Sequence, residues 1–109
     1  MKRGMQANMY VEMAPGVTID DLRQELSISY KGEEYVSLLK RGEAPKTQHV
    51  QACNDCYMNV FEDRIAGRAI IISVIDNLMK GASGQAVQNL NLMMGFPERT
   101  GLPRASVFP

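Results

Sequence analysis

The sequence predicts an α+β domain built on a mixed or antiparallel sheet. Segments 5–13, 57–61 and 68–75 are rich in apolar residues, and the unbroken run from Ala69 to Ile75 suits a central strand covered on both faces. Segments 19–30 and 76–95 instead space their apolar residues as a helix does. Glycine and proline fall between these segments, at Pro15-Gly16, Gly32, Gly42, Pro45, Gly67 and Gly95, so the elements are short and separately bounded.

In chain order, the strand at 5–13 ends in the turn Ala14-Pro15-Gly16. Thr18 is then placed as an N-cap with Asp21 three residues on, and Ile19, Leu22, Leu26 and Tyr30 mark the buried face of a helix over 19–30. Tyr35, Val36, Leu38 and Leu39 predict a second, short helix over 33–40, stopped by Arg41-Gly42. Strands are expected at 47–53 and 57–61 around a turn at Asn54-Asp55, with a hairpin loop over 62–67 leading into the strand at 68–75. Asp76 or Asn77 caps the last and longest helix, 76–95. Its apolar stripes, Leu78, Ala82, Ala86, Leu90 and Met93 beside Met79, Val87 and Met94, predict deep packing, and Gly95 ends it ahead of a tail marked by Pro97, Pro103 and Pro109.

At 109 residues the chain is one domain or part of one, only marginally able to bury a core alone. With no tryptophan and 6% aromatic residues, that core rests on Ile, Val, Leu and eight adaptable methionines. Twelve basic and twelve acidic residues cancel without a run of either sign, which argues against nucleic acid or an anionic membrane as partner. No stretch approaches the roughly 20 apolar residues of a membrane span. The N-terminal residues lack the apolar core of a signal peptide and the character of a transit peptide. The nine glycines form no GxGxxG arrangement, so no dinucleotide-binding turn is encoded here.

The start of the last helix is unusual. Gly81 and Gly84 lie in its first turns, and an interior helical glycine costs about 1 kcal/mol relative to alanine, so a close neighbour, either a cofactor or another protein segment, is expected there. Asn77, Lys80, Gly81 and Ala82 form the best functional constellation. An Asn side chain both donates to and accepts from a carboxamide, and small residues let a planar ring approach; the alternative is plain capping and packing. Cys53 and Cys56, spaced CxxC after His49, read as structural thiols ahead of zinc or redox chemistry, because no further Cys or His completes a four-ligand shell.

The segment DNLMKGASGQAVQNLNLMMGFPERTGL closely resembles the C-terminal signature of the N-acetyl-gamma-glutamyl-phosphate reductases. The likeness extends back through GRAIIISVI, more loosely through HVQACNDCYMNVFEDR, and through VEMAPGVTIDDL to MKRGMQ, with a plant or algal cast. It implies the C-terminal part of a substrate and dimerisation domain of the glyceraldehyde-3-phosphate/semialdehyde dehydrogenase type, without the Rossmann domain. Met1 then resembles an internal methionine, and segment 76–95 a helix that docks on a nucleotide-binding domain outside this chain.

The same resemblance implies an NADP(H)-dependent activity in arginine synthesis. A cysteine thiolate attacks the acyl phosphate and expels phosphate, and hydride reduces the resulting thioester to an aldehyde. The family's catalytic cysteine and histidine lie upstream, so neither Cys53, Cys56 nor His49 takes those roles and the chain alone is expected to be inactive and to bind no cofactor by itself. The position of Cys53 is usually serine in the family, which makes the CxxC incidental. The resemblance also implies cofactor contact at Asn77, Lys80, Gly81 and Ala82, an auxiliary place for Arg3, beside Lys2, in holding an anionic substrate, and homo-oligomers of family subunits. It implies the chloroplast stroma if the source is a plant or alga, and the cytoplasm otherwise. A different class of reading is a free-standing interaction module that pairs through its sheet with full-length subunits.

Overall fold

A computed structural model describes residues 3–102; Lys2, Pro103 and Pro109 lie outside the described residues. Its elements run β1 (Gly4–Glu12), α1 (Ile19–Ser29), β2 (Val36–Leu38), a 3-10 turn (Thr47–Val50), β3 (Cys56–Glu62), β4 (Arg68–Asp76), a π-helical turn (Met79–Ser83) and α2 (Gly84–Met94). The strands form one mixed sheet in the order β1-β4-β3-β2. β4 pairs antiparallel with β1 from Gly4↔Asp76 to Glu12↔Arg68 and with β3 from Tyr57↔Val74 to Glu62↔Ala69, whereas β2 runs parallel to β3. The long apolar run is therefore an interior strand of the sheet, paired on both edges, as its sequence predicts.

The two sheet faces carry separate small cores. On one, Ile19 of α1 packs with Val60 and Ala69, flanked by Leu22, Leu26, Val11, Met13 and Ile71. The capping box explains where that helix starts: Thr18 Oγ1 accepts from the Asp21 N–H at 3.2 Å, and the Asp21 carboxylate accepts from the Thr18 N–H at 2.9 Å. On the other face Val50 and Cys53 lie against Val74 and Tyr57.

Three expectations are overturned. Residues 33–40 are not a helix. Val36–Leu38 forms an edge strand, tied by the Cys56 N–H donating to Tyr35 O at 2.7 Å and the Leu39 N–H to Met58 O at 2.9 Å. The apolar spacing of so short a run fits either period, and the free edge of β3 decides it. Residues 47–53 are not a strand but a 3-10 turn followed by Ala52 with φ 61°, a left-handed conformation that breaks any extended run.

Segment 76–95 is helical without a break from Met79 to Met94, but it is not deeply packed. It opens with the π-helical turn, and α2 buries Gly84, Gln88 and Asn91 while Leu90, Leu92, Met93 and Met94 are all more than half exposed. Periodicity locates stripes on a helix without saying which one faces inward. Gly95, with φ 73°, closes α2 as expected. Among the described residues no helix is long and apolar enough to cross a membrane.

Candidate functional site at the end of the central strand

Everything the sequence singled out near residue 77 hangs from Asp76, the last residue of β4. Its carboxylate is buried. Oδ2 accepts from the Ala52 N–H at 2.5 Å and pairs with the Arg3 guanidinium at 2.9 Å, while Oδ1 accepts from the Leu78 N–H at 2.8 Å and more weakly from the Met79 N–H at 3.4 Å. Burial pushes this carboxyl upward, but the backbone N–H groups of Ala52 and Leu78 and the Arg3 guanidinium outweigh it and hold it below the usual carboxylate range. One side chain thus caps the π-turn, as expected of it, and also fixes the left-handed Ala52, which no local sequence signal reveals.

Arg3 is drawn into this knot: its side chain pairs with Asp76 and its carbonyl accepts from the Asn77 N–H at 3.0 Å. That geometry makes it a brace for the strand end.

Asn77 is exposed, directly after the strand, and Gly81 and Ala82 are exposed on the π-turn beside it. A side chain at Gly81 would meet Asn77 Oδ1 at 2.8 Å and Ile75 Cδ1 at 3.4 Å, so the glycine leaves room for the Asn77 amide. Gly84 has another neighbour. A Cβ there would collide with the Asn54 side chain and come within 2.5 Å of Met79 O, the carbonyl that accepts the Gly84 N–H in the π-turn. The protein segment that the second glycine predicts is thus the loop before β3.

Lys80, unlike Asn77, is half-buried. Its ammonium donates to Gln88 Oε1 at 2.5 Å and lies 5.8 Å from the centroid of the Tyr35 ring. Burial draws its pKa below the ordinary lysine value, against the nearby Cys56, Glu98, Asp55 and Glu33. The same Gln88 oxygen accepts from Asn54 Nδ2 at 2.7 Å, and Gln88 Nε2 donates to Glu98 Oε2 at 2.5 Å. Asn91, one turn on, donates to Glu98 O at 2.8 Å and Thr100 O at 2.9 Å. Sequence reasoning missed Gln88, Asn91 and Glu98 altogether. The one available signal was the glycine at 84, which requires a partner on the buried face of α2.

The two cysteines do not form a unit of their own. Cys53 is buried and its thiol donates to Val50 O at 3.2 Å; burial, with the charges of Asp55 and Asp76, pushes it up to about 11. Cys56 is half-buried at the start of β3 and is also raised, chiefly by burial, although Lys80 opposes the shift. His49 is exposed. Among the described residues no cluster of three or more His, Cys, Asp or Glu side chains is placed to hold a metal ion.

Residues 1–77, the described part of which runs from Arg3 through every strand to the Asp76 knot, match the family described as semialdehyde dehydrogenase, dimerisation domain. The chain belongs to that family. Over all 109 residues it is 69% identical to a probable N-acetyl-gamma-glutamyl-phosphate reductase, chloroplastic, of Oryza sativa subsp. japonica and 62% identical to the protein of the same description from Arabidopsis thaliana. It is 47% identical to an N-acetyl-gamma-glutamyl-phosphate reductase of Geobacter sp. (strain M21), again along its whole length. It spans 26%, 27% and 32% of these three relatives, so they are much longer proteins. The α+β expectation and its mixed sheet agree with this membership.

Proposed function

We propose that the chain is the C-terminal part of an N-acetyl-gamma-glutamyl-phosphate reductase, which converts N-acetylglutamyl 5-phosphate to N-acetylglutamate 5-semialdehyde in arginine synthesis. The observation that carries this is identity along the entire chain to reductases from plants and bacteria. The nucleophilic cysteine and the catalytic base lie outside this segment, and the chain alone turns nothing over.

Within the whole enzyme this segment contributes the turn after β4. The exposed Asn77 amide offers both a donor and an acceptor, and the small exposed residues Gly81 and Ala82 leave a flat approach beside it, a donor set that fits the carboxamide and ring of a nicotinamide. NADPH, when bound, supplies the hydride that reduces the thioester. Asp76 holds Asn77 in register by accepting from the Leu78 N–H directly after it and tying the strand end to Ala52 and Arg3. The exposed apolar face of α2, with Leu90 and Met93, docks on the nucleotide-binding domain, and the sheet associates with a second subunit, in keeping with a dimerisation-domain family. A plant or algal parent works in the chloroplast stroma, a reading supported by two relatives described as chloroplastic.

The test is Asn77→Ala in the full-length enzyme. The KM for NADPH rises about tenfold, the loss of roughly one good hydrogen bond, while the KM for the acyl phosphate stays put. An unchanged KM for NADPH removes the cofactor role.

A further inference from the structure

We infer that Gln88 is a positioning residue for cofactor binding, acting through Lys80 on the π-turn that presents Gly81 and Ala82 beside Asn77; this rests on the cofactor reading of that turn. Gln88 sits on the inward face of α2, 8% exposed, and joins three stretches of chain: the π-turn, the loop before β3 and the segment after α2. Its oxygen accepts a hydrogen bond from the Lys80 ammonium in the π-turn and another from Asn54 Nδ2 in the loop before β3, and its nitrogen donates one to the Glu98 carboxylate in the segment after α2.

The chemistry leaves little freedom in the choice of residue. An ammonium can only donate and a carboxylate can only accept, so the group between Lys80 and Glu98 must accept on one side and donate on the other. A primary amide does both, and the identity of its neighbours fixes which way round it lies. Leucine would fill the volume and satisfy neither neighbour. Glutamate would keep Lys80 and Asn54 but set two carboxylates against each other.

Lys80 is the link to the site. It stands within the five-residue π-turn, between Asn77 and Gly81, and its ammonium lies over the Tyr35 ring and donates to Gln88. A π-turn is rare and occurs mostly as a single-turn bulge in a helix, and here Tyr35 and Gln88 contact it from outside through Lys80. The close approach of Gly84 to Asn54 is the second clamp on the same turn, and it too converges on the Gln88 oxygen, since Asn54 Nδ2 is its donor. Releasing Gln88 therefore frees both clamps at once.

The experiment uses a full-length reductase carrying this segment, with steady-state kinetics varied separately in NADPH and in the acyl phosphate. Gln88→Leu is expected to raise the KM for NADPH about tenfold and leave that for the acyl phosphate within twofold. A merely structural role would reduce the amount of active enzyme, lowering kcat while leaving both KM values alone. The exchange pair guards against a variant that fails to fold: Gln88→Glu alone raises the KM for NADPH, and adding Glu98→Gln, which restores a donor facing an acceptor, returns it to within twofold. An unmoved KM for NADPH in Gln88→Leu, or no difference between the single and double exchange, overturns the inference. Asn77→Ala, measured alongside, separates the two levels. If it too leaves the KM for NADPH unmoved, the cofactor reading falls and the inference with it; if it raises the KM while Gln88→Leu does not, only the role of Gln88 is lost.

Discussion

Replacing Asp76 with alanine should cost this chain more stability than any other single charge removal among the residues discussed. The carboxylate is the acceptor for the N–H groups of Ala52 and Leu78 and the counter-charge of Arg3. An orphaned buried donor costs about 1–3 kcal/mol, and these two are partly buried, so the lower part of that range applies to each. Ala52 must also hold φ 61° without its anchor, a conformation about 1 kcal/mol unfavourable for an L-residue. Together the expected loss is about 3–4 kcal/mol. Asp76→Asn should lose about 2–3 kcal/mol, because its amide can keep an oxygen towards Leu78 only by turning a donor towards Ala52 and Arg3.

Arg3→Ala should lose only about 1 kcal/mol, since the Arg3 side chain is 36% exposed and the backbone donors remain. Urea titration followed by far-UV circular dichroism gives all three numbers at constant m-value. A loss below about 1 kcal/mol for Asp76→Ala would refute the reasoning. So would an Arg3→Ala loss equal to it, which would make the ion pair rather than the backbone N–H groups the source of stability.

Because Asp76 titrates below an unfolded carboxyl at about 3.9, its contribution is present above that pH and lost as pH falls through the folded value, so Asp76→Asn should flatten the acid limb of stability against pH. Gly84→Ala should destabilise by about 1–3 kcal/mol, because the new methyl meets the Met79 carbonyl, which is backbone and cannot yield; Gly81→Ala, which meets only the ends of the Asn77 and Ile75 side chains, should barely change stability yet raise the KM for NADPH, and equal urea midpoints for the two would contradict the packing described. A thiol reagent at neutral pH should label Cys56 slowly and Cys53 only on unfolding, since the Cys53 thiol is buried and raised to about 11; prompt labelling of both would show that the turn at 50–53 opens readily. Met93→Glu, on the 82% exposed end of the apolar face of α2, should reduce self-association of the chain in sedimentation, and an unchanged distribution would place the sticky surface elsewhere.

What the sequence made legible is what local interactions decide. Thr18 and Asp21 satisfy each other within one helical turn, so the start of α1 can be read without knowing the fold. Ala69 to Ile75 is a strand wherever it lies, and its lack of polar alternation already marks it as interior. Val36–Leu38 and Thr47–Val50 were misjudged because partners distant in sequence decide them: the open edge of β3 in the first case, and in the second the hydrogen bond by which Asp76 holds Ala52 in its left-handed turn. At the site, Asn77, Lys80 and Gly81 could be singled out because two glycines beside an Asn are unusual at a helix start. Gln88 and Asn91 could not. On a helix whose apolar residues face outward, the polar stripe reads as the solvent side until the positions of Asn54 and Glu98 are known.

The account stands or falls on NADPH oxidation in the presence of N-acetylglutamyl 5-phosphate, measured for a full-length protein carrying this segment and for the 109-residue chain by itself. Turnover that requires both substrates in the first and none in the second is the predicted result. Turnover by the chain alone, or a full-length protein inert towards this acyl phosphate, would contradict it.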